Sequence, residues 1–126
     1  MTTYEHEKVK GNSFFQEGNY IKAIECYNDC ILIDPDEPVA YSNKAMSLIK
    51  LGENEKAIRV CNVALTKIDP DKQLHEAIGR KIKYRINVAK DAIDKAKQTL
   101  QVQTNGSFNN ITIQEVDQLP GEFVGL

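Results

Sequence analysis

Displaced by 34 residues, the first part of the chain falls on its own continuation. Gly11 lands on Ala45, Phe14 on Leu48, Gly18 on Gly52, Lys22 on Lys56, Ala23 on Ala57, Ile24 on Ile58, Cys30 on Ala64 and Ile31 on Leu65. Small residues meet small ones, and large apolar residues meet large apolar ones. A repeat of this length holds one supersecondary unit that cannot bury its apolar face alone, so the fold has to be a stack. Residues 11–35, GNSFFQEGNYIKAIECYNDCILIDP, spell out the unit. Tyr20, Ala23, Ile24, Tyr27, Cys30 and Ile31 recur at the three- and four-residue steps of a helix face. Glu17-Gly18-Asn19 ahead of them marks a tight turn. Asp34-Pro35 ends the run, because the residue before proline is pushed out of the helical region. Each unit is a helix–turn–helix hairpin.

The expected architecture is all-α: two helix hairpins stacked in a short solenoid, a long C-terminal capping helix, and a flexible tail. The hairpins cover about 3–33 and 37–68. Thr2-Thr3-Tyr4-Glu5 fits a capping box with Thr2 as the N-cap. Asp36-Glu37-Pro38 opens the third helix with acid at the positive end of the dipole and proline in the first turn. From about 72 to 98, Leu74, Ile78, Ile82, Ile86, Ala89, Ile93 and Leu100 form one stripe without a dividing turn. A single helix there would cover the open apolar end of a two-repeat stack. Its polar face would be Lys90, Asp91, Asp94, Lys95 and Lys97. Gly79 within it suggests a bend or a close helix contact.

Charge changes along the chain. Residues 1–100 hold all 16 Lys and Arg against 15 acids, whereas 101–126 hold three acids and no base. With the shift toward Gln, Asn, Thr and Gly, this divides a domain at 1–100 from a flexible tail at 101–126, with 101–110 as a linker. No run approaches the roughly 18 apolar residues of a membrane span, and the polar start MTTYEHEKVK is not that of a secretory leader. No membrane partner is expected. Cys26, Cys30 and Cys61 read as small buried hydrophobes of a reducing compartment. Two distant histidines add too few ligands for zinc. Both His6 and His75 lie among charged residues and read as surface side chains.

The 34-residue period with its small/large register resembles the tetratricopeptide repeat (TPR) family over roughly residues 4–70. Within that family, the chain is similar to the domains that bind chaperone C-termini through a two-carboxylate clamp. Those domains place Lys and Asn, Asn, and Lys and Arg on three successive groove-lining helices. Here Lys8 and Asn12 lie four apart, Asn43 stands on the first helix of the second hairpin, and Lys81 and Arg85 again lie four apart. The chemistry suits such a ligand. Lys and Arg donate only, Asn supplies amide N–H without adding like charge, and a terminal aspartate offers two carboxylates. Phe15, Met46 and Ile49 are candidates to take the peptide's apolar side chains. Against a strict 34-residue step Lys81 and Arg85 fall about eight residues late, which asks for an insertion around 71–78.

Two hairpins, one further helix, a clamp and a tail reading EVDQLP together resemble the minimal TPR cochaperones of heat shock protein ninety. The stretch at 41–53, YSNKAMSLIKLGE, is especially similar. That resemblance implies a cytoplasmic and nuclear adaptor with two binding surfaces and no cofactor. The groove would take the C-terminal Glu-Glu-Val-Asp of heat shock protein ninety, and of the seventy-kilodalton class as well. The tail, anchored by Ile111, Ile113, Val116, Leu119 and Phe123, would join a partner subunit carrying a β-sandwich domain. Through it the chain would reach an AAA ATPase assembly acting on small nucleolar ribonucleoproteins. An alternating 111–113 segment without a basic residue also suits addition to a sheet edge.

Three rival classes remain. No GxSxG, HExxH or P-loop motif points to an enzyme. Arg80, Lys81, Lys83, Arg85 and Lys90 point to several helix faces and lack an aromatic platform beyond Tyr84, unlike a nucleic-acid surface. A TPR scaffold that binds internal peptide segments without a clamp is the alternative.

Overall fold

The computed structural model describes residues 3–105, with side chains from 3 to 100. The described residues form five helices: α1 (Tyr4–Gln16), α2 (Tyr20–Ile33), α3 (Pro38–Lys50), α4 (Asn54–Thr66) and α5 (Gln73–Asn105). The helices α1 and α2 form one hairpin and α3 and α4 the next, with α2 packed on α3. α5 lies against both α3 and α4, where the next repeat would begin.

The hairpin turns are copies of one another. Gly18 and Gly52 sit at φ +82° and +81°, a left-handed conformation that costs other residues about 1–2 kcal/mol. Gly18 N–H donates to Phe15 O and Asn19 N–H to Phe14 O; Gly52 N–H donates to Ile49 O and Glu53 N–H to Leu48 O. This pair of bonds is the Schellman motif, which satisfies the last carbonyls of a helix. Nothing lies within 4 Å of a Cβ added at either glycine. Gly52→Ala should therefore cost only the backbone term, about 1 kcal/mol, read as a small fall in Tm with an unchanged denaturant slope.

Two clusters of small side chains hold the stack together. Ala23, Tyr27, Cys30 and Ala40 are buried where α2 meets α3, with Tyr4, Phe14 and Phe15 of α1 packed on them. Ala45, Leu48, Ala57, Cys61, Ala64 and Ile82 are buried among α3, α4 and α5. All three cysteines are buried free thiols, and burial pushes Cys30 and Cys61 up to about 11. Tyr4 ties the first helix to the third: its hydroxyl accepts from Ala40 N–H at 3.0 Å, one of the N–H groups left open at a helix start.

Several expectations need correction. The N-cap of α1 is Thr3, whose Oγ1 accepts from His6 N–H at 3.1 Å, so Thr2 is not the cap. Glu5 falls one place early for a capping box and instead pairs with Lys8. His75 is buried, and its Nδ1 accepts from Asp69 N–H at 2.9 Å, closing the turn before α5. His6 is exposed as expected. α5 does not end near 98 but runs to Asn105, through part of the expected linker; the first glycine after Gly79 is Gly106. A Cβ at Gly79 would be 4.0 Å from Ile68, a loose approach inside an unbroken helix. On the apolar stripe Ile82 and Ala89 are buried, whereas Leu74 and Leu100 are exposed. The tail anchors Ile111, Ile113, Val116, Leu119 and Phe123 lie outside the described residues.

Candidate peptide-binding groove

Three helices supply the candidate donors. Lys8 and Asn12 stand one turn apart on α1, Asn43 on α3, and Lys81 and Arg85 one turn apart on α5. The suspected insertion before α5 is absent: α1 begins at Tyr4, α3 at Pro38 and α5 at Gln73, within one residue of the 34-residue step. The offset of Lys81 and Arg85 is instead a position further along α5.

The structure joins the two asparagines. Asn43 Nδ2 donates to Asn12 Oδ1 at 3.4 Å, bridging α1 and α3. The same oxygen accepts a second, shorter bond of 2.6 Å from the Tyr27 hydroxyl of α2. Arg85 arrives beside them from α5. Its Nη1 donates to the carbonyl oxygen of Ser42 at 2.8 Å and to the Ser42 hydroxyl. Ser42 precedes Asn43 in the chain and is itself buried. Burial pulls the Arg85 guanidinium below its ordinary range, with Cys61 and Tyr27 pulling the other way.

Arg85 is thus committed more deeply than the sequence suggests. A guanidinium has five N–H donors; the Nη1 pair is spent on Ser42, leaving Nη2 and Nε. Lys8 is held less firmly, in an ion pair of 3.1 Å with the exposed Glu5. Such a pair is worth little in water and can be exchanged for another carboxylate. Lys81 is exposed and has no hydrogen bond or ion pair among the described residues.

The apolar candidates are half-buried. Phe15 meets Tyr20 edge to face with ring centroids 5.2 Å apart, and it packs on the Tyr27 cluster. Ile49 packs on the Ile82 cluster. Two clefts lie away from these residues, one of about 550 Å³ between the α3–α4 turn and the distal half of α5, one of about 700 Å³ around Ile68 and His75. Neither is lined by the donor set. Among the described residues, no group of three or more His, Cys, Asp and Glu could hold a metal ion, and no helix is long and apolar enough to cross a membrane.

Sequence reasoning missed Tyr27 and Ser42. Tyr27 reads as one apolar step on α2, and its only signal is that a buried tyrosine hydroxyl usually requires a partner. Ser42 carried no signal, since only the packing of α5 brings Arg85 to it.

Comparison with known proteins bears on the repeat and the fold. The TPR repeat family matches residues 11–52, and a second tetratricopeptide-repeat family matches 38–71. Stress-induced-phosphoprotein 1 of Caenorhabditis elegans is 38% identical over 61 residues, covering 48% of this chain and 19% of that protein. Sperm-associated antigen 1 of Mus musculus is 31% identical over 113 residues, covering 89% of this chain and 12% of that protein. The chain therefore spans less than a fifth of the length of these curated relatives. Among solved structures, the second TPR of Spaghetti (RPAP3), bound to the HSP90 peptide SRMEEVD, superposes with a TM-score of 0.62 at 30% identity. That match covers 79% of this chain and 85% of the other. The TPR2B domain of yeast Sti1, in complex with an Hsp70 peptide, has a TM-score of 0.63 at 24% identity over 97% of this chain and 96% of its own; at that identity the likeness is one of fold.

Proposed function

Because the chain belongs to the tetratricopeptide-repeat family, we propose that its groove binds the C-terminal Glu-Glu-Val-Asp peptide of heat shock protein ninety through a two-carboxylate clamp. One observation carries the reading: Asn12 and Asn43 touch across α1 and α3, and Arg85 of α5 is fixed on the residue next to Asn43. Lys8 and Lys81, each one turn along its helix, complete a set of donors from three helices. The Spaghetti domain bound to SRMEEVD supports the choice of ligand, and the seventy-kilodalton chaperone is kept as a second source of a Glu-Glu-Val-Asp terminus. The role is that of a non-enzymatic adaptor.

In this reading Lys8 leaves Glu5 for a peptide carboxylate, Lys81 adds a second cation, and the Asn amides donate to the terminal oxygens. Arg85 offers its remaining Nη2 and Nε donors while Nη1 keeps it aligned. Phe15, Met46 and Ile49 contribute the apolar wall. The test is titration of SRMEEVD into the full chain and into Lys8→Ala. Lys8 has its ion pair with Glu5 on the exposed rim of α1, so the variant should still fold, yet bind at least tenfold more weakly, as expected for one charged hydrogen bond. Affinity should also fall as salt rises, because exposed charges are screened. Unchanged affinity in Lys8→Ala would remove the clamp.

We extend the reading to the segment beyond α5. Its three acids, its lack of any base and its apolar Ile111, Ile113, Val116, Leu119 and Phe123 suit docking to a sheet edge of a β-sandwich partner, and through it to an AAA ATPase assembly. Co-purification of that partner with the full chain, lost on Phe123→Asp, is the expected result.

A further inference from the structure

We infer that Tyr27, a core residue of α2, is a positioning residue of the groove: its hydroxyl fixes the Asn12 amide with the oxygen inward and the NH2 group facing the ligand. The inference rests on the clamp reading above and adds to it a residue that never touches the peptide. Asn12 Oδ1 accepts from both Tyr27 Oη at 2.6 Å and Asn43 Nδ2 at 3.4 Å. An amide oxygen has two lone pairs, so both are used. Asn12 Nδ2 spends neither hydrogen on the described residues. A carboxylate arriving at Asn12 therefore meets two donors and no acceptor. Without the hydroxyl, the amide turns about its last bond at little cost, and the oxygen, which would repel a carboxylate, can face outward.

Packing alone does not account for the hydroxyl. The 34-residue step carries Tyr27 to Cys61, which is equally buried in the second repeat and has no phenol. The ring is held in place by Gly11, where an added Cβ would come 2.7 Å from Tyr27 Cε1. Burial pushes the Tyr27 phenol up to about 12, so it remains a donor through the ordinary pH range. Asn43 alone holds Asn12 with a longer bond, so the shorter phenol bond decides the orientation.

The test uses the full chain and the SRMEEVD peptide as free acid and as C-terminal amide, with Tyr27→Phe, Asn12→Ala and the double variant. Tyr27→Phe keeps the ring against Gly11. It should raise the free-acid Kd about fivefold to tenfold, as expected for one hydrogen bond, leave the amide Kd nearly unchanged and lower the Tm by only a few degrees. In the Asn12→Ala background the same substitution should change nothing further, since the two residues act as one unit. The side-chain NH2 resonance of Asn12 should also shift in Tyr27→Phe. Equal loss for acid and amide, or a full additional loss in the Asn12→Ala background, would make Tyr27 merely structural and overturn the inference. So would wild-type affinity in Tyr27→Phe with Asn12→Ala impaired, and that result would leave the clamp standing. Equal binding of acid and amide by the unmodified chain would instead take away the clamp, and the inference with it.

Discussion

Ile82→Ala is expected to lower the stability of the chain by about 3 kcal/mol, within the range for truncating a buried isoleucine. Ile82 is fully buried among Ala45, Leu48, Ala57, Cys61 and Ala64, and alanines and a cysteine cannot swell to fill the space left behind. For a domain of this size the Tm should fall by more than about 10 °C. The effect reaches the groove as well. Ile82 lies between Lys81 and Arg85 in sequence and seats α5, so loosening it withdraws Arg85 from Ser42. Peptide affinity should drop even at temperatures where the variant is folded. Leu74→Ala on the same helix is the control: Leu74 is 80% exposed, and the change should stay within about 0.5 kcal/mol. Similar melting curves for the two variants would contradict the packing of α5 as a cap.

Gly11→Ala should destabilise the protein although alanine is the better helix former. Helix propensity favours the change by about 1 kcal/mol. Against it, the new methyl would sit 2.7 and 3.0 Å from two Tyr27 ring atoms and 3.1 Å from Cys26 Cβ. Tyr27 is 2% exposed, so its ring has no free space to enter, and overpacking of a filled core costs about 1–3 kcal/mol. The sum is a net loss of up to about 2 kcal/mol, greater for Gly11→Val. Moving the ring also breaks its bond to Asn12, so both variants should bind peptide more weakly than their Tm alone suggests. Thermal unfolding with peptide titration checks this, and a Tm equal to or above that of the unmodified chain would show that the ring yields freely.

How much of this was legible follows from which forces act locally. The hairpin turns were readable because Gly18 and Gly52 are needed for a left-handed backbone, whatever surrounds them. The 34-residue register found the core positions Ala23, Ala57, Cys30 and Ala64, because close helix packing demands small side chains. Lys8, Asn12, Asn43, Lys81 and Arg85 could be named from a family pattern, yet their state could not. The ties from Arg85 to Ser42 and from Tyr27 to Asn12 span 43 and 15 residues, and sequence spacing says nothing about contacts across helices. His75 failed for a related reason. Charged neighbours in sequence made it look exposed, whereas the bend at 69–72 turns its ring inward onto Asp69 N–H. The end of α5 is not legible from polar composition, because 101–105 hold neither glycine nor proline to stop the helix.

The measurement that bears most directly on the groove is calorimetric titration of the full chain with SRMEEVD as free acid and as C-terminal amide, at low and at physiological salt. The clamp predicts micromolar binding of the acid, weakened by salt, and at least tenfold weaker binding of the amide, which lacks one of the two carboxylates. Equal affinity for acid and amide, or no heat from either, would contradict it and leave a TPR scaffold that reads internal peptide segments.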